Sequence, residues 1–133
     1  MPIELVKEKY SAPIYALEIG RPGAGAIKVG GETALPFLFE EGDMPNRPVV
    51  AYEILDCEPQ DWPEDLKKPF GSSIKDPIAW AKKCVSDFSA KLLCVRMQSV
   101  HPDWKNASSD EAVKTLKTIS KEVKVPLIIR VRR

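Results

Sequence analysis

Apolar and polar positions along the chain change period several times, and each change predicts an element. Ile14 to Ile19 is strand-like, the RPGAGA stretch turns, and Ala26 to Val29 returns before Gly30-Gly31 interrupts it. That pattern predicts a β-hairpin over residues 13–31. Val49 to Leu55 is a nearly continuous apolar run, expected of a strand covered on both faces. A proline-rich connection follows, with a short helical turn predicted at Pro63 to Lys67. Asp76-Pro77 then offers an N-cap and an N1 proline. Behind them Trp80, Ala81, Cys84, Val85 and Phe88 recur at helical spacing.

Leu92 to Met97 reads as the next strand. Ser108 and Glu111 have capping-box spacing, and the helix they open carries Ala112, Val113, Leu116, Ile119 and Val123 on one face. A further strand is predicted over Val125 to Val131. The order is hairpin, strand, helix, strand, helix, strand within a single domain, 1–133. Such alternation predicts an α/β fold with parallel strands joined by right-handed crossovers. Three parallel strands leave an apolar edge open, and a full (β/α)8 barrel needs about 250 residues, so the pattern reads as unfinished.

Composition narrows the function classes. The 133 residues are 44% hydrophobic and 29% charged, as in an ordinary globular domain. Twenty basic and 19 acidic side chains give +1, which supplies no electrostatic case for nucleic acid or an anionic membrane. No apolar run is long enough to span a bilayer and MPIELVKEKY lacks a signal-peptide core, so a cytoplasmic location is expected. Cys57, Cys84 and Cys94 stand far apart with no C-x-x-C pair, so no zinc or iron–sulfur site is expected on this chain. Cys84 and Cys94 fall on apolar-facing positions, which favours buried thiols over a redox role.

Several motifs in fixed order resemble one family. They are Gly30-Gly31 ahead of Ala34-Leu35-Pro36-Phe37, Asn46-Arg47-Pro48 before the first long strand, and Asp61-Trp62-Pro63 with Pro69-Phe70. Trp80-Ala81-x-Lys83-Cys84 and Leu92-x-x-Val95-Arg96 continue the series. Together these segments resemble the small subunit of the corrinoid iron–sulfur protein, the delta subunit of the acetyl-CoA decarbonylase/synthase complex, over about its first third. The resemblance implies the N-terminal part of a (β/α)8 TIM barrel: the hairpin at 13–31, then three strands and two helices over 48–133. It implies a truncated or split reading frame after the third barrel strand. It further implies an accessory subunit supporting methyl transfer from a methyl-pterin to acetyl-CoA synthase. The corrinoid would be carried by or shared with a large, gamma-type subunit, and methyltransferase and acetyl-CoA synthase would be transient partners. Family members carry a Phe-His-His-Phe set where this chain has Phe37-Leu38-Phe39-Glu40, so no imidazole role carries over.

In such a barrel the working residues stand at the carboxyl ends of the strands. The cofactor-facing candidates are therefore Glu53, Asp56, Arg96, Gln98 and Ser99. Glu53 and Asp56 could accept hydrogen bonds from a pterin or corrinoid amide edge. They could instead pair with Arg96 or cap a loop, and the structural reading is favoured. His101 is the only histidine; no Asp-x-His-x-x-Gly signature accompanies it, so it is read as a loop residue rather than a cobalt ligand. Asn46-Arg47-Pro48 is expected to seat the hairpin. Trp62, Phe70 and Trp80 could form a partner-facing cluster, but core is the preferred reading. Two alternatives stay open: a stand-alone pterin-dependent methyltransferase, and a truncated or split product without independent activity.

Overall fold

A computed structural model describes every residue except 1, 2, 5, 22–24, 36, 39, 40, 132 and 133. The hairpin turn at Pro22 to Ala24, Pro36 and Phe39-Glu40 of the family motifs, and Arg132-Arg133 lie outside the described residues. The chain divides into two compact units, Met1–Ile19 with Ile27–Val49, and Gly20–Ala26 with Val50–Arg133.

The first unit is built on strands β1 (Leu17–Ile19) and β2 (Ile27–Val29), paired antiparallel with Glu18 opposite Lys28. This ladder is shorter than the sequence pattern predicts. The pairing nonetheless continues irregularly: Ile14 N donates to Glu32 O at 2.7 Å and Gly31 N to Ile14 O at 2.9 Å. Gly30 makes this approach possible, because at φ +82° a Cβ would stand 2.2 Å from the Tyr15 carbonyl oxygen. Asn46 Nδ2 donates to Gly30 O at 2.8 Å, tying the hairpin exit to the segment that follows.

The second unit holds a parallel sheet in the order β3 (Ala51–Leu55), β4 (Leu92–Met97), β5 (Leu127–Val131). Its helices are the single turn α1 (Glu64–Lys67), α2 (Pro77–Ser86) and α3 (Ser109–Glu122), with a 3-10 turn at Gly71–Lys75. Asp76 caps α2 by accepting from Ile78 N and Ala79 N, and Pro77 fills the first helical position. The full capping box opens α3.

Strand alternation sorts the sheet into two unlike faces. Tyr52, Ile54, Leu93, Val95, Met97 and Leu127 share one face and join a core with Trp80, Ala81 and Cys84 of α2 and Ile119 and Val123 from α3. Trp62, Phe70 and Trp80 pack on one another, with Trp62 edge-on to Trp80 at 5.7 Å, and Trp80 is fully buried. The aromatic trio thus belongs to the core.

Three expectations change. Glu53, Cys94, Arg96 and Arg130 alternate onto the other face, so β3 is not a strand with two apolar faces. Cys94 is only half-buried and lies beside Glu53 rather than among the core side chains. Val113 is 46% exposed, because it is rotated about 100° from Ala112, which does face inward.

Candidate functional site

The carboxyl ends of β3 and β4 bring the sequence-selected residues together. Glu53, in the middle of β3, accepts from Arg130 Nη1 of β5 at 2.9 Å and lies 3.8 Å from Arg96 Nη1 of β4. The parallel register makes this possible by placing Glu53 beside Cys94 and Arg96 beside Arg130. Cys94 Sγ stands 3.9 Å from the same carboxylate. Burial raises the Cys94 thiol above its ordinary pKa, and the Glu53 charge pushes in the same direction.

Asp56 does a different job one turn further on. Its Oδ1 accepts from Gln98 N at 2.7 Å and from Ser99 N at 2.9 Å, while Oδ2 accepts from the Ser99 hydroxyl. Asp56 N in turn donates to Arg96 O at 3.2 Å. The carboxylate therefore holds the exit of β4 in register with the exit of β3. Ser99 passes the order onward, since its carbonyl accepts from Ala107 N at 2.9 Å and closes the loop that leads to α3.

Beside this clamp is a pocket of about 110 Å³, lined among others by Leu55, Cys57, Asp61, Trp62, Arg96, Gln98 and Trp104. Arg96 Nε is buried with no hydrogen-bond partner among the described residues. Cys57 is buried, and desolvation first, then the Asp56 charge, pushes its thiol pKa up. A thiol held neutral in this way is a poor nucleophile.

Of the five candidates, Asp56, Gln98 and Ser99 form one hydrogen-bonded group, Glu53 and Arg96 stand as an ion pair at 3.8 Å, and the Arg96 carbonyl joins the two by accepting from Asp56 N. Arg130, Asp61 and Trp104 were not among the sequence candidates. Strand parity could have found Arg130, because it is in register with Arg96 once β4 and β5 are paired. Trp104 lies in an irregular loop, where no period marks it. His101 Nδ1 accepts from Asp103 N at 3.2 Å, a local loop contact. Among the described residues no three His, Cys, Asp or Glu side chains cluster as metal ligands, and no helix is long and apolar enough to cross a membrane.

A second, larger groove of about 1070 Å³ runs beside β5 and α3. Its floor is apolar, with Leu116, Val123, Leu127 and Ile129, and its cations are Arg21, Lys117, Lys121 and Lys124. Among the described residues lining it there is no acid, thiol or imidazole.

A family model described as CO dehydrogenase/acetyl-CoA synthase delta subunit matches residues 16–132. The acetyl-CoA decarbonylase/synthase complex subunit delta of Methanocaldococcus jannaschii is 36% identical over 127 residues, 92% of this chain and 31% of that protein. The subunit of the same name from Methanopyrus kandleri is 35% identical over 103 residues, covering 77% of this chain and 25% of its own length. That of Archaeoglobus fulgidus is 28% identical over 142 residues, covering 97% and 31%. The chain thus spans about a third or less of the length of these relatives.

Proposed function

The chain belongs to the CO dehydrogenase/acetyl-CoA synthase delta subunit family, and from that premise we propose that it is an accessory, cytoplasmic part of a corrinoid iron–sulfur protein. In this reading it supports methyl transfer from a methyl-pterin to acetyl-CoA synthase without performing the chemistry. The corrinoid belongs to a large, gamma-type subunit and supplies the methyl-carrying centre there. This chain offers that group a polar surface at the ends of β3 and β4. The gathering of Arg96 and Gln98 with Leu55, Asp61 and Trp104 around one pocket at the strand ends is the observation that carries the reading. Glu53 holds Arg96 and Arg130, and Asp56 fixes Gln98 and Ser99, so this surface is ordered before any partner arrives.

The same reading extends to the fold. We take the β3–α2–β4–α3–β5 unit as the opening of a (β/α)8 barrel. The feature that favours this is the free edge of β5, where Ile129 is 55% and Val131 58% exposed above the apolar groove. A following strand and helix would cover both.

Co-expression with a large corrinoid iron–sulfur subunit, followed by size-exclusion chromatography, tests the partner assignment. Co-elution in a stoichiometric complex is expected. Separate elution of both chains under conditions where each is soluble would remove the accessory-subunit reading.

A further inference from the structure

We propose that the groove beside β5 and α3 docks an acidic amphipathic helix of a partner polypeptide. The helix lays its apolar stripe on the groove floor and sets its Asp and Glu side chains against the surrounding cations. The proposal rests on the reading of β5 as an open edge above this groove and adds the chemistry of the helix that covers it.

Charge is the first argument. The chain as a whole is balanced, with 20 basic and 19 acidic side chains. The groove is not: Arg21, Lys117, Lys121 and Lys124 border it, with no acid among its described lining residues. The layout of α3 produces this asymmetry. Its acids are confined to its ends, Asp110 and Glu111 in the first turn and Glu122 in the last, where Glu122 is drawn to Lys82 of α2 at 2.6 Å. Lys117 and Lys121 stand one turn apart between them, and Lys124 follows the C-cap Val123. Among the described residues none of the four groove cations is in an ion pair. Acids at i and i+4 along the border of a partner's stripe match the ~6 Å step between the two helical lysines.

Shape is the second argument. The groove is a recess of about 1070 Å³ floored by Leu116, Leu127 and Ile129, and Ile129 is 55% exposed. A convex rod about 10 Å wide with one apolar stripe fits between a helix and a strand edge. A planar bilayer instead needs a projecting apolar face, and a phosphate backbone would leave the floor uncovered. Among the described residues a second copy supplies no such helix. Its α2 contains no acid, its α1 is a single turn whose Glu64 and Asp65 pair with Lys67 and Lys68, and its α3 brings the same lysines. The occupant is therefore a different polypeptide segment.

Two synthetic peptides of about 18 residues test this, both with the same leucine stripe, one bordered by glutamates and the other by lysines. Each is titrated with the 133-residue chain at concentrations where sedimentation shows a monomer. Fluorescence anisotropy and the methyl shifts of Leu127 and Ile129 report binding. The glutamate peptide is expected to bind saturably, to shift both methyls, and to weaken as salt rises. Lys117→Glu with Lys121→Glu exchanges exposed lysines for another good helix former. That pair should weaken the glutamate peptide about tenfold and give the lysine peptide saturable binding. Lys75→Glu with Lys105→Glu makes the same change in net charge outside the groove lining and should bind as wild type does. Equal binding of the two peptides, equal losses in the two double variants, or no saturable binding would overturn the proposal. Binding to vesicles of phosphatidylcholine and phosphatidylglycerol, with none to the glutamate peptide, would also overturn it and assign the groove to a lipid surface. Co-elution with the large corrinoid subunit survives each of these failures, so the two readings fail separately.

Discussion

Asp56 is the residue on which the strand-end geometry depends most. Its carboxylate accepts from two backbone N–H groups and one hydroxyl of the β4 exit, all half-buried. Asp56→Ala leaves those donors unpaired and is expected to cost about 2–3 kcal/mol in urea unfolding. A loss under about 0.5 kcal/mol would show that water replaces the carboxylate freely. The thiols give a second check. Burial raises all three cysteine pKa values, so each folded thiol adds stability below the unfolded value near about pH 8.5 and loses it as pH rises through the folded one. Disulfide-exchange labelling at neutral pH should therefore be slow and should reach half-buried Cys94 first. Cys57 and Cys84, 5% and 1% exposed, should wait for unfolding, and equal rates at all three would contradict their placement. At this scale the sequence offered good candidates but not their connections. Glu53, Asp56, Arg96, Gln98 and Ser99 were each legible from strand ends. The assignment of Asp56 to Gln98 and Ser99, and of Glu53 to Arg130, depends on a parallel register that one chain segment does not reveal.

Elements were legible where a local rule decides them. Asp76-Pro77 and the Ser108–Glu111 box start α2 and α3 as expected, because capping is a contact between near neighbours. The strand Leu92–Met97 was bounded correctly because its apolar run is framed by polar residues on both sides. Faces were less legible. The apolar run of β3 suggests two apolar faces, yet its single acid, Glu53, marks the parity of a mixed face that carries Cys94, Arg96 and Arg130 beside buried Leu55 and Leu92. In the hairpin, strand propensity extends to Ile14 while regular pairing stops at Leu17, and irregular bonds at Ile14 carry the pairing on. What continues the pairing is a glycine. Gly30→Ala would force a Cβ against the Tyr15 carbonyl at positive φ, and a loss of at least about 1–2 kcal/mol is expected from the backbone conformation alone. Amide exchange at Ile14 and Gly31 should speed up in the variant, while the amides of β3 to β5 keep their protection. Unchanged exchange at Ile14 would mean the contact is not maintained in solution.

At the scale of the whole molecule, the open sheet edge sets the behaviour. Among the described residues no strand pairs with the outer side of β5, and Ile129 and Val131 are more than half exposed there. Charge would guard such an edge, and Arg130, Arg132 and Arg133 are the cations in this stretch of the sequence. Arg130 is instead engaged with Glu53 on the sheet face, and the other two lie outside the described residues. An apolar edge with free backbone groups is a template for another strand. The isolated 133-residue chain is therefore expected to self-associate, with a sedimentation coefficient and melting temperature that rise with concentration. Ile129→Lys puts a charge on this half-exposed groove face next to the open edge, and should shift the chain toward monomer. A sharp melt independent of concentration in both proteins would show that the edge is not adhesive. If the large corrinoid subunit is the physiological cover for this edge, adding it should suppress self-association in the wild-type chain. If the cover is a further stretch of barrel, the large subunit should bind without changing it.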